Sequence, residues 1–193
     1  DTTTTVVDLA SPTGRIWMDR NLGATQAAAS STDAASYGDL YQWGRAKDGH
    51  ESRDSNTTAT TATTAAAGHG DFIIADFGTN FNWTDFTAED TLWQAGLNDP
   101  CPVGYRIPTE AELLIEIDEF SSNNTVGAFS ALKLPLGGYR NYSNGTLSDN
   151  VGSNGNYWSS TVSSSYARYL TFNSSNAYMF DFYRADGYSV RFL

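Results

Sequence analysis

The sequence predicts an α+β fold, and three observations carry this prediction. Short runs rich in β-branched and aromatic residues are separated by clusters of Gly, Asn and Ser, which is typical of an antiparallel meander. One segment near the middle of the chain carries a complete helix-start signal. Residues 47–99 have little periodicity and include a Thr-, Ala- and Asn-rich tract at 56–67, which predicts a long irregular insertion. We therefore expect a single domain over residues 1–193 with two helices, short antiparallel strands and one long loop.

The expected strands lie at both ends of the chain. Residues 2–9 and 14–22 have strand-like composition, and the turn-forming sequence Ser-Pro-Thr-Gly between them predicts a hairpin. The C-terminal half has five further short strand patterns, over residues 131–136, 157–162, 167–172, 178–184 and 188–193. Aromatic residues in the second half of the insertion indicate that this half packs on the domain.

Two segments have the pattern of helices. Over residues 33–45, Tyr37, Leu40 and Tyr41 recur at helical spacing. Thr109 and Glu112 form a capping-box pattern that starts a second helix, which should end near residue 120. Its apolar positions predict a buried stripe, made of Ala111, Leu114, Ile115, Ile117 and Phe120. Its acids predict a solvated face, made of Glu110, Glu112, Glu116, Asp118 and Glu119.

Composition excludes several classes of function. The net charge of -11, from 22 acidic and 11 basic residues, argues against nucleic acid as a partner because phosphate binding requires Lys and Arg. No apolar run approaches the roughly 18 residues of a membrane helix, so we expect no membrane insertion. A single cysteine, Cys101, excludes an internal disulfide and a Cys-based zinc site.

The residues that most often carry chemistry have no motif around them. His50 and His69 lie beside glycines in the insertion without a spaced partner, which favours exposed loop histidines over a metal or acid/base site. Cys101 stands between two prolines and is expected to be a small buried or half-buried residue. No cofactor is expected. A calcium site remains open, and its oxygen ligands would come from distant positions, among them Asp71, Asp76, Asp85, Glu89, Asp90 and Asp99.

Aromatic residues are concentrated at the C-terminus. Residues 157–193 hold 11 of the 26 aromatic residues of the chain. Because successive side chains of a strand point to opposite faces, the run from Tyr178 to Tyr183 places rings on both faces, more than one core face can take. Some rings should therefore face water, and grouped exposed rings are typical of a recognition surface.

Several phrases together resemble a known family. They are GRIWMDRNLG at 14–23, YGDLYQWGR at 37–45, CPVGYRIPTEAE at 101–112, GYR at 138–140, YWSST at 157–161 and GYSVR at 187–191. In this order they resemble the Fibrobacter succinogenes major paralogous domain, a relative of the formylglycine-generating enzyme type of C-type lectin fold. The same framework is similar to that of the variable proteins of diversity-generating retroelements. The resemblance implies a C-type lectin-like fold and a C-terminal region, residues 157–193, that is rewritten by mutagenic reverse transcription.

The residue types agree with such rewriting. These systems randomise adenines, and Asn codons changed at adenine give Tyr, Asp, Ser, Thr or Phe without creating a stop codon. Within 178–188 the residues of this kind are Tyr178, Phe180, Asp181, Phe182, Tyr183, Asp186 and Tyr188. Trp158, Phe172 and Phe192 are expected to belong to the fixed scaffold.

Two related activities fit the residues less well. Formylglycine-generating enzymes use a pair of active-site cysteines, whereas this chain has only Cys101. Classical sugar-binding C-type lectins use calcium with Glu-Pro-Asn or Gln-Pro-Asp ligands, and neither tripeptide occurs.

The sequence therefore predicts a non-enzymatic binding protein with a hypervariable surface. By strand parity, Tyr169 and Thr171 should point outward with Tyr166 nearby. The expected ligand-binding set is Tyr166, Tyr169, Thr171, Tyr178, Phe180, Asp181, Phe182, Tyr183, Asp186 and Tyr188. We expect a monomer that binds a protein or cell-surface ligand, at a cell surface, secreted or on a virion. The alternatives are a non-variable surface or adhesion module and, less favoured, an enzyme of the formylglycine-generating type.

Overall fold

A computed structural model of the chain describes residues 6–193. The fold is α+β, as predicted, with two α-helices and several small sheets. The strands are β1 (Asp8–Ala10), β2 (Ile16–Met18), β3 (Tyr41–Gln42), β4 (Thr57–Thr58), β5 (Phe72–Ile73), β6 (Gly155–Ser163), β7 (Tyr166–Phe172), β8 (Ala177–Tyr183) and β9 (Gly187–Tyr188). The helices are α1 (Glu110–Asp118) and α2 (Thr125–Leu132).

The predicted hairpin and the predicted meander are both present. Strands β1 and β2 pair antiparallel, although they are shorter than expected and residues 2–5 lie outside the described residues. Strands β6, β7 and β8 form a three-stranded antiparallel sheet in chain order, so β8 is an edge strand. The pair β4 and β5 is parallel, which corrects the expectation of antiparallel strands only.

The last strand pattern is only partly realised. Strand β9 ends at Tyr188, and the segment after it runs beside the N-terminal segment, where Met18 N donates to Phe192 O and Leu22 N donates to Val190 O. The predicted strand at 131–136 is wrong, because its first residues end α2 and the rest is extended without strand pairing.

Helix α1 begins with the predicted capping box. Thr109 Oγ1 accepts from Glu112 N, and the Glu112 carboxylate accepts from Thr109 N. The predicted buried stripe is wrong in part, because Ala111, Leu114 and Ile115 are exposed. Leu113 and Glu116 take the buried positions instead, so the helix is rotated relative to the expected stripe.

The predicted helix at 33–45 is wrong. Only a single 3-10 turn, Ala34–Ser36, forms there, and β3 follows it. Gly38 and Gly44 have φ values of +68° and +83°, in the left-handed region that ends a helix. The backbone bonds distant segments instead, with Trp43 N donating to Arg184 O.

The core consists of two clusters on opposite sides of the large sheet. One contains Trp43, Trp83, Trp158 and Phe192, and the other packs α1 and α2 against Leu170, Phe172 and their neighbours. Residues Phe72, Trp83 and Trp93 of the insertion are buried, so its second half packs down as predicted. Within residues 6–193, no helix has the length and apolar character needed to cross a membrane.

Candidate functional site

One face of the large sheet gathers the aromatic residues of β7 and β8. Tyr169 pairs with Phe180 and Thr171 pairs with Tyr178, so these four side chains share that face. Asn156 of β6 pairs with Thr171 on the same face. The strand register therefore explains why residues from three strands meet here.

These side chains line an open cleft of about 240 Å³. Its lining combines rings with neutral polar groups and comprises Tyr139, Asn154, Asn156, Tyr169, Thr171, Tyr178, Phe180, Phe182 and Tyr188. Six of the ten predicted site residues are therefore brought together. Sequence reasoning missed the three lining residues that precede residue 157, because nothing local marks them as neighbours of β7 and β8.

Two rings of the edge strand stand at the rim of the cleft. Tyr178 is 47% exposed and Phe180 is 48% exposed. Their centroids lie 6.2 Å apart, and that of Phe180 lies 6.4 Å from Tyr169, both edge-to-face. Such rings provide contact area at low conformational cost, and Tyr178 adds a hydroxyl group.

The floor of the cleft is built from buried rings. Tyr188 is 3% exposed and stacks on Trp158, with the ring centroids 4.3 Å apart. Tyr169 contacts both of them. Burial raises the pKa of Tyr169 to about 12, so its hydroxyl stays protonated at neutral pH.

A carboxyl group lies directly beneath this floor. Asp186 is fully buried; Oδ1 accepts from Tyr142 N at 2.8 Å and Oδ2 from the Tyr188 hydroxyl at 3.0 Å. Burial raises the pKa of Asp186 to about 7, and these two hydrogen bonds only partly oppose that rise.

Four predicted site residues are not solvent-facing, which corrects the expectation from strand parity for Tyr169 and Thr171 and the expectation from residue type for Asp186 and Tyr188. Tyr169 and Thr171 are each 8% exposed, and Tyr188 and Asp186 are more deeply buried. The parity was correct, but the segment over 137–156 and β9 cover the face that parity predicted to be open.

The remaining predicted residues occupy the other face and the end of the sheet. Asp181 is half-buried, and its Oδ2 accepts from Ser163 Oγ. Tyr166, 38% exposed, packs beside Tyr183 with the ring centroids 5.5 Å apart. Tyr183 also contacts Phe182, which links this group to the cleft.

The insertion and a neighbouring loop extend the aromatic surface. Phe81 lies 4.1 Å from Tyr183 and 5.5 Å from Tyr142 between ring centroids. Phe77 is 84% exposed and contacts Phe81. The count of rings in the insertion was the only sequence signal for this extension, and it did not say where they pack.

The prediction of an exposed His50 is wrong. His50 is fully buried; its Nε2 accepts from Gln42 N, and its Nδ1 lies 2.7 Å from Asp48 Oδ1. Burial lowers the pKa of His50 to about 4, so the ring is neutral, with the proton on Nδ1. Asp48, His50 and Glu51 are the only group of metal-ligand type in residues 6–193, but both ring nitrogens already have protein partners. Within the trio, His50 Nδ1 bonds Asp48, and Glu51 Oε2 accepts from Gly49 N.

The acids considered for calcium are mostly used within the protein. Glu89 and Asp90 pair with Arg184, Asp76 caps a 3-10 turn and Asp99 accepts from Cys101 N. A polar pocket of about 270 Å³ between Thr79 and Glu89 includes Asp85. There Glu89 Oε2 is occupied by Asn82 Nδ2, so the pocket offers few free carboxylate oxygens.

Cys101 is half-buried, as expected. Burial and the neighbouring Asp99 raise the pKa of its thiol well above the usual value. His69 is half-buried, and its Nδ1 accepts from Asp71 N. Neither residue joins the cleft.

The fold is α+β, and its cleft is lined by aromatic and neutral polar residues. A family described as a domain of unknown function (DUF8237) matches residues 114–193, which include all ten predicted site residues. No curated protein and no solved structure matches the chain.

Proposed function

We propose that this chain is a non-enzymatic ligand-binding protein in which a C-type lectin-like scaffold presents a C-terminal surface diversified by a retroelement. The observation that carries the proposal is the position of Tyr178 and Phe180. Both rings are about half exposed above a cleft, while Trp158 on the same face of the sheet and Leu170 on the opposite face are fully buried. The core is therefore complete without the two exposed rings, as a surface that tolerates replacement requires.

Burial divides the predicted variable set in two. Asp186 and Tyr188 are fixed by hydrogen bonding and stacking, and their replacement would disturb the core. We therefore restrict the display set to Tyr166, Tyr178, Phe180, Asp181, Phe182 and Tyr183. Tyr169, Thr171 and Tyr188 then form the floor on which this set stands.

The display role predicts a contrast in stability between rim and core. The double variant Tyr178→Ala/Phe180→Ala should change the free energy of unfolding by less than about 1 kcal/mol, because both rings are half exposed. Trp158→Ala should cost about 3–5 kcal/mol, because it leaves a core cavity and an unpaired Tyr41 carbonyl. Thermal melts measure both, and equal losses would rule out a display role for the rim.

The retroelement origin predicts a pattern in the gene neighbourhood. A reverse transcriptase gene and an imperfect copy of the segment encoding residues 157–193 should lie near the gene. The copies should differ at adenines in the codons of the display set and agree at Trp158 and Asp186. Absence of both elements would leave the alternative, a non-variable surface or adhesion module.

The enzyme alternative predicts turnover that we do not expect. With one cysteine in the chain and burial raising the pKa of that thiol, no reactive cysteine pair can form. A sulfatase-derived peptide incubated with the protein, copper and oxygen should therefore show no conversion of cysteine to formylglycine by mass spectrometry. Conversion that is lost in Cys101→Ser would overturn the binding proposal.

A further inference from the structure

The floor of the cleft holds the amide of a largely buried residue, and one end of this amide is open to solvent. Asn156 is 6% exposed, and its Oδ1 accepts from Thr171 Oγ1 at 3.0 Å. Its Nδ2 makes no hydrogen bond to any other part of the described chain, and Asn156 lines the cleft. Either orientation of the amide leaves one polar end for a ligand, because Thr171 can satisfy only the other.

A second amide lies beside it. Asn154 lines the cleft, is half-buried, and its side chain bonds to no residue within 6–193. A purely apolar group that filled the cleft would leave these amides without water or partner, which disfavours such a ligand. The floor therefore selects a ligand with hydrogen-bonding atoms.

The charge of the site limits that ligand further. All nine lining residues are uncharged, so a bound phosphate or carboxylate would lose water without gaining a counter-charge. The net charge of -11 also repels anionic ligands. A fitting ligand is consequently polar and carries no negative charge.

The aromatic rings at the rim require a ligand that also has an apolar face. Tyr178 and Phe180 present apolar surface at the rim, within the same cleft as the two amides. One compact unit with an apolar C–H face and several neutral hydroxyl groups satisfies the rings and the amides together. A pyranose ring is such a unit, and its size suits a cleft of about 240 Å³.

We propose that the cleft binds an uncharged pyranose sugar, with its hydroxyl groups held by Asn156 and Asn154 and its ring packed on Tyr178 or Phe180. This inference rests on the proposed binding function and specifies its ligand. Tyr139, Asn154 and Asn156 precede residue 157 and so lie outside the region predicted to vary. Every member of a diversified set would then keep the same sugar-binding floor and alter only the rim.

The test uses the whole chain on an array of neutral and sialylated glycans. We expect binding to a subset of neutral glycans, competed by the corresponding free methyl glycoside. Asn156→Asp should weaken binding by more than about tenfold, because it replaces the amide donor by a carboxylate acceptor. Asn123→Asp makes the same charge change at an exposed position on the far loop and should leave binding unchanged.

Further variants keep the test decisive if Asn156→Asp fails to fold. Tyr178→Ala and Asn154→Asp act at accessible positions, and either should weaken glycan binding in a protein with an unchanged melting temperature. Binding that is confined to sialylated glycans, or that survives all three cleft variants, would overturn the sugar assignment.

A parallel selection from a phage-displayed random peptide library separates this inference from the proposed function. Peptides that depend on Tyr178 and Phe180, together with an array showing no glycan binding, would overturn the sugar assignment and leave the binding function standing. If neither screen yields a ligand that depends on Tyr178, both proposals fail. Glycan binding lost in the cleft variants supports both.

Discussion

Asp186 is an acid that the native fold prefers to keep protonated. No cation is among its hydrogen-bond partners, and burial raises its pKa to about 7 from 3.8. The native state holds this proton up to about pH 7, whereas the unfolded chain releases it near pH 4. The contribution of Asp186 to stability is therefore full below about pH 4 and is lost as pH rises towards 7.

Asp186→Asn should remove this pH dependence. The amide can still accept from Tyr142 N and can donate to the Tyr188 hydroxyl, so the fold should persist. The pKa of His50 is lowered to about 4, so its contribution makes the protein more stable as pH rises from 4 to 6.5. This trend opposes that of Asp186. The effect of Asp186 is therefore read from the difference between the variant and the parent, in which the His50 contribution cancels. The melting temperature of the variant minus that of the parent should rise between pH 5 and pH 8. Asp118→Asn, at an exposed position, should give a flat difference, and a flat difference for Asp186→Asn would contradict the assignment.

Glu116 joins helix α1 to the N-terminal hairpin through buried hydrogen bonds. It is fully buried on α1, where Oε1 accepts from Ser11, Thr13 and the Trp17 indole at 2.8, 2.5 and 3.0 Å. The predicted solvated face was wrong at this position because those donors come from a hairpin about 100 residues earlier. Sequence periodicity within one helix carries no information about such distant partners.

Glu116→Ala should cost about 3 kcal/mol or more, because it leaves the buried Trp17 N–H unpaired and removes the acceptor shared by the Ser11 and Thr13 hydroxyls, which keep only each other. Glu116→Gln should cost less, since the amide oxygen can still accept from them. Glu119→Ala, an exposed change on the same chain segment, should stay within about 0.5 kcal/mol. Denaturant unfolding measures all three, and a Glu116→Ala loss no larger than that of Glu119→Ala would contradict the role of this carboxylate.

Among the helices and strands, the sequence predicted correctly those that depend on residues near them in the chain. The capping box of α1 and the alternation of β6 to β8 were predicted because each depends on neighbours in the sequence. Helix α2 was missed, because it has eight residues and carries a glycine, Gly127, in its interior. The segment at 33–45 had helical spacing but pairs with β9, about 145 residues away.

Gly127 is required by the contact of α2 with the end of α1. A Cβ at this position would overlap the Ser122 carbonyl oxygen and lie 2.8 Å from Phe120 Cβ. Gly127→Ala should therefore destabilise the protein by about 1–3 kcal/mol, although alanine is the better helix former by about 1 kcal/mol. Ser130→Ala, at an exposed site of α2, should be neutral or slightly stabilising. A melting temperature of Gly127→Ala higher than that of the parent would show that α2 does not lie this close to Phe120 and Ser122.

For the whole molecule, long irregular segments are joined by buried side chains. Arg45, Arg140, Arg184 and Arg191 are each 1–2% exposed, and all four donate to backbone carbonyls of distant segments. Each of the five tryptophan indoles also donates a hydrogen bond to an oxygen within the protein. Backbone carbonyls outside helices and sheets need such partners when they are buried.

This organisation explains what the sequence could predict of the site. The concentration of rings in β7 and β8 was visible in the sequence, and Trp158 and Phe172 were placed in the core correctly. The amides of the floor did not follow, because Asn154 lies in a loop held by contacts such as Gly138 N to Asn154 O, and Asn156 reaches the cleft only through the pairing of β6 with β7. Composition can indicate a recognition surface, whereas its depth and polarity depend on tertiary contacts.

Arg191 is the buried arginine whose replacement best tests whether side-chain hydrogen bonds hold the irregular segments together. Its guanidinium donates to Asn21 Oδ1, to Met18 O and to the carbonyls of Leu132 and Lys133 at the C-terminus of α2. It thus joins the N-terminal segment, the end of α2 and the C-terminal segment. Its positive charge lies at the negative end of the helix dipole, where it is favourable.

Arg191→Lys should cost about 3 kcal/mol or more, because an ammonium group cannot reach four acceptors spread around a planar fork and leaves buried carbonyls unpaired. Arg15→Lys makes the same substitution at a half-buried position of the hairpin, and it should change the free energy of unfolding by no more than about 0.5 kcal/mol. Urea unfolding followed by tryptophan fluorescence measures both free energies, and hydrogen exchange should show faster exchange at the end of α2 in Arg191→Lys alone. Equal stability of the two variants would mean that the segments are held together by their apolar contacts without the arginine.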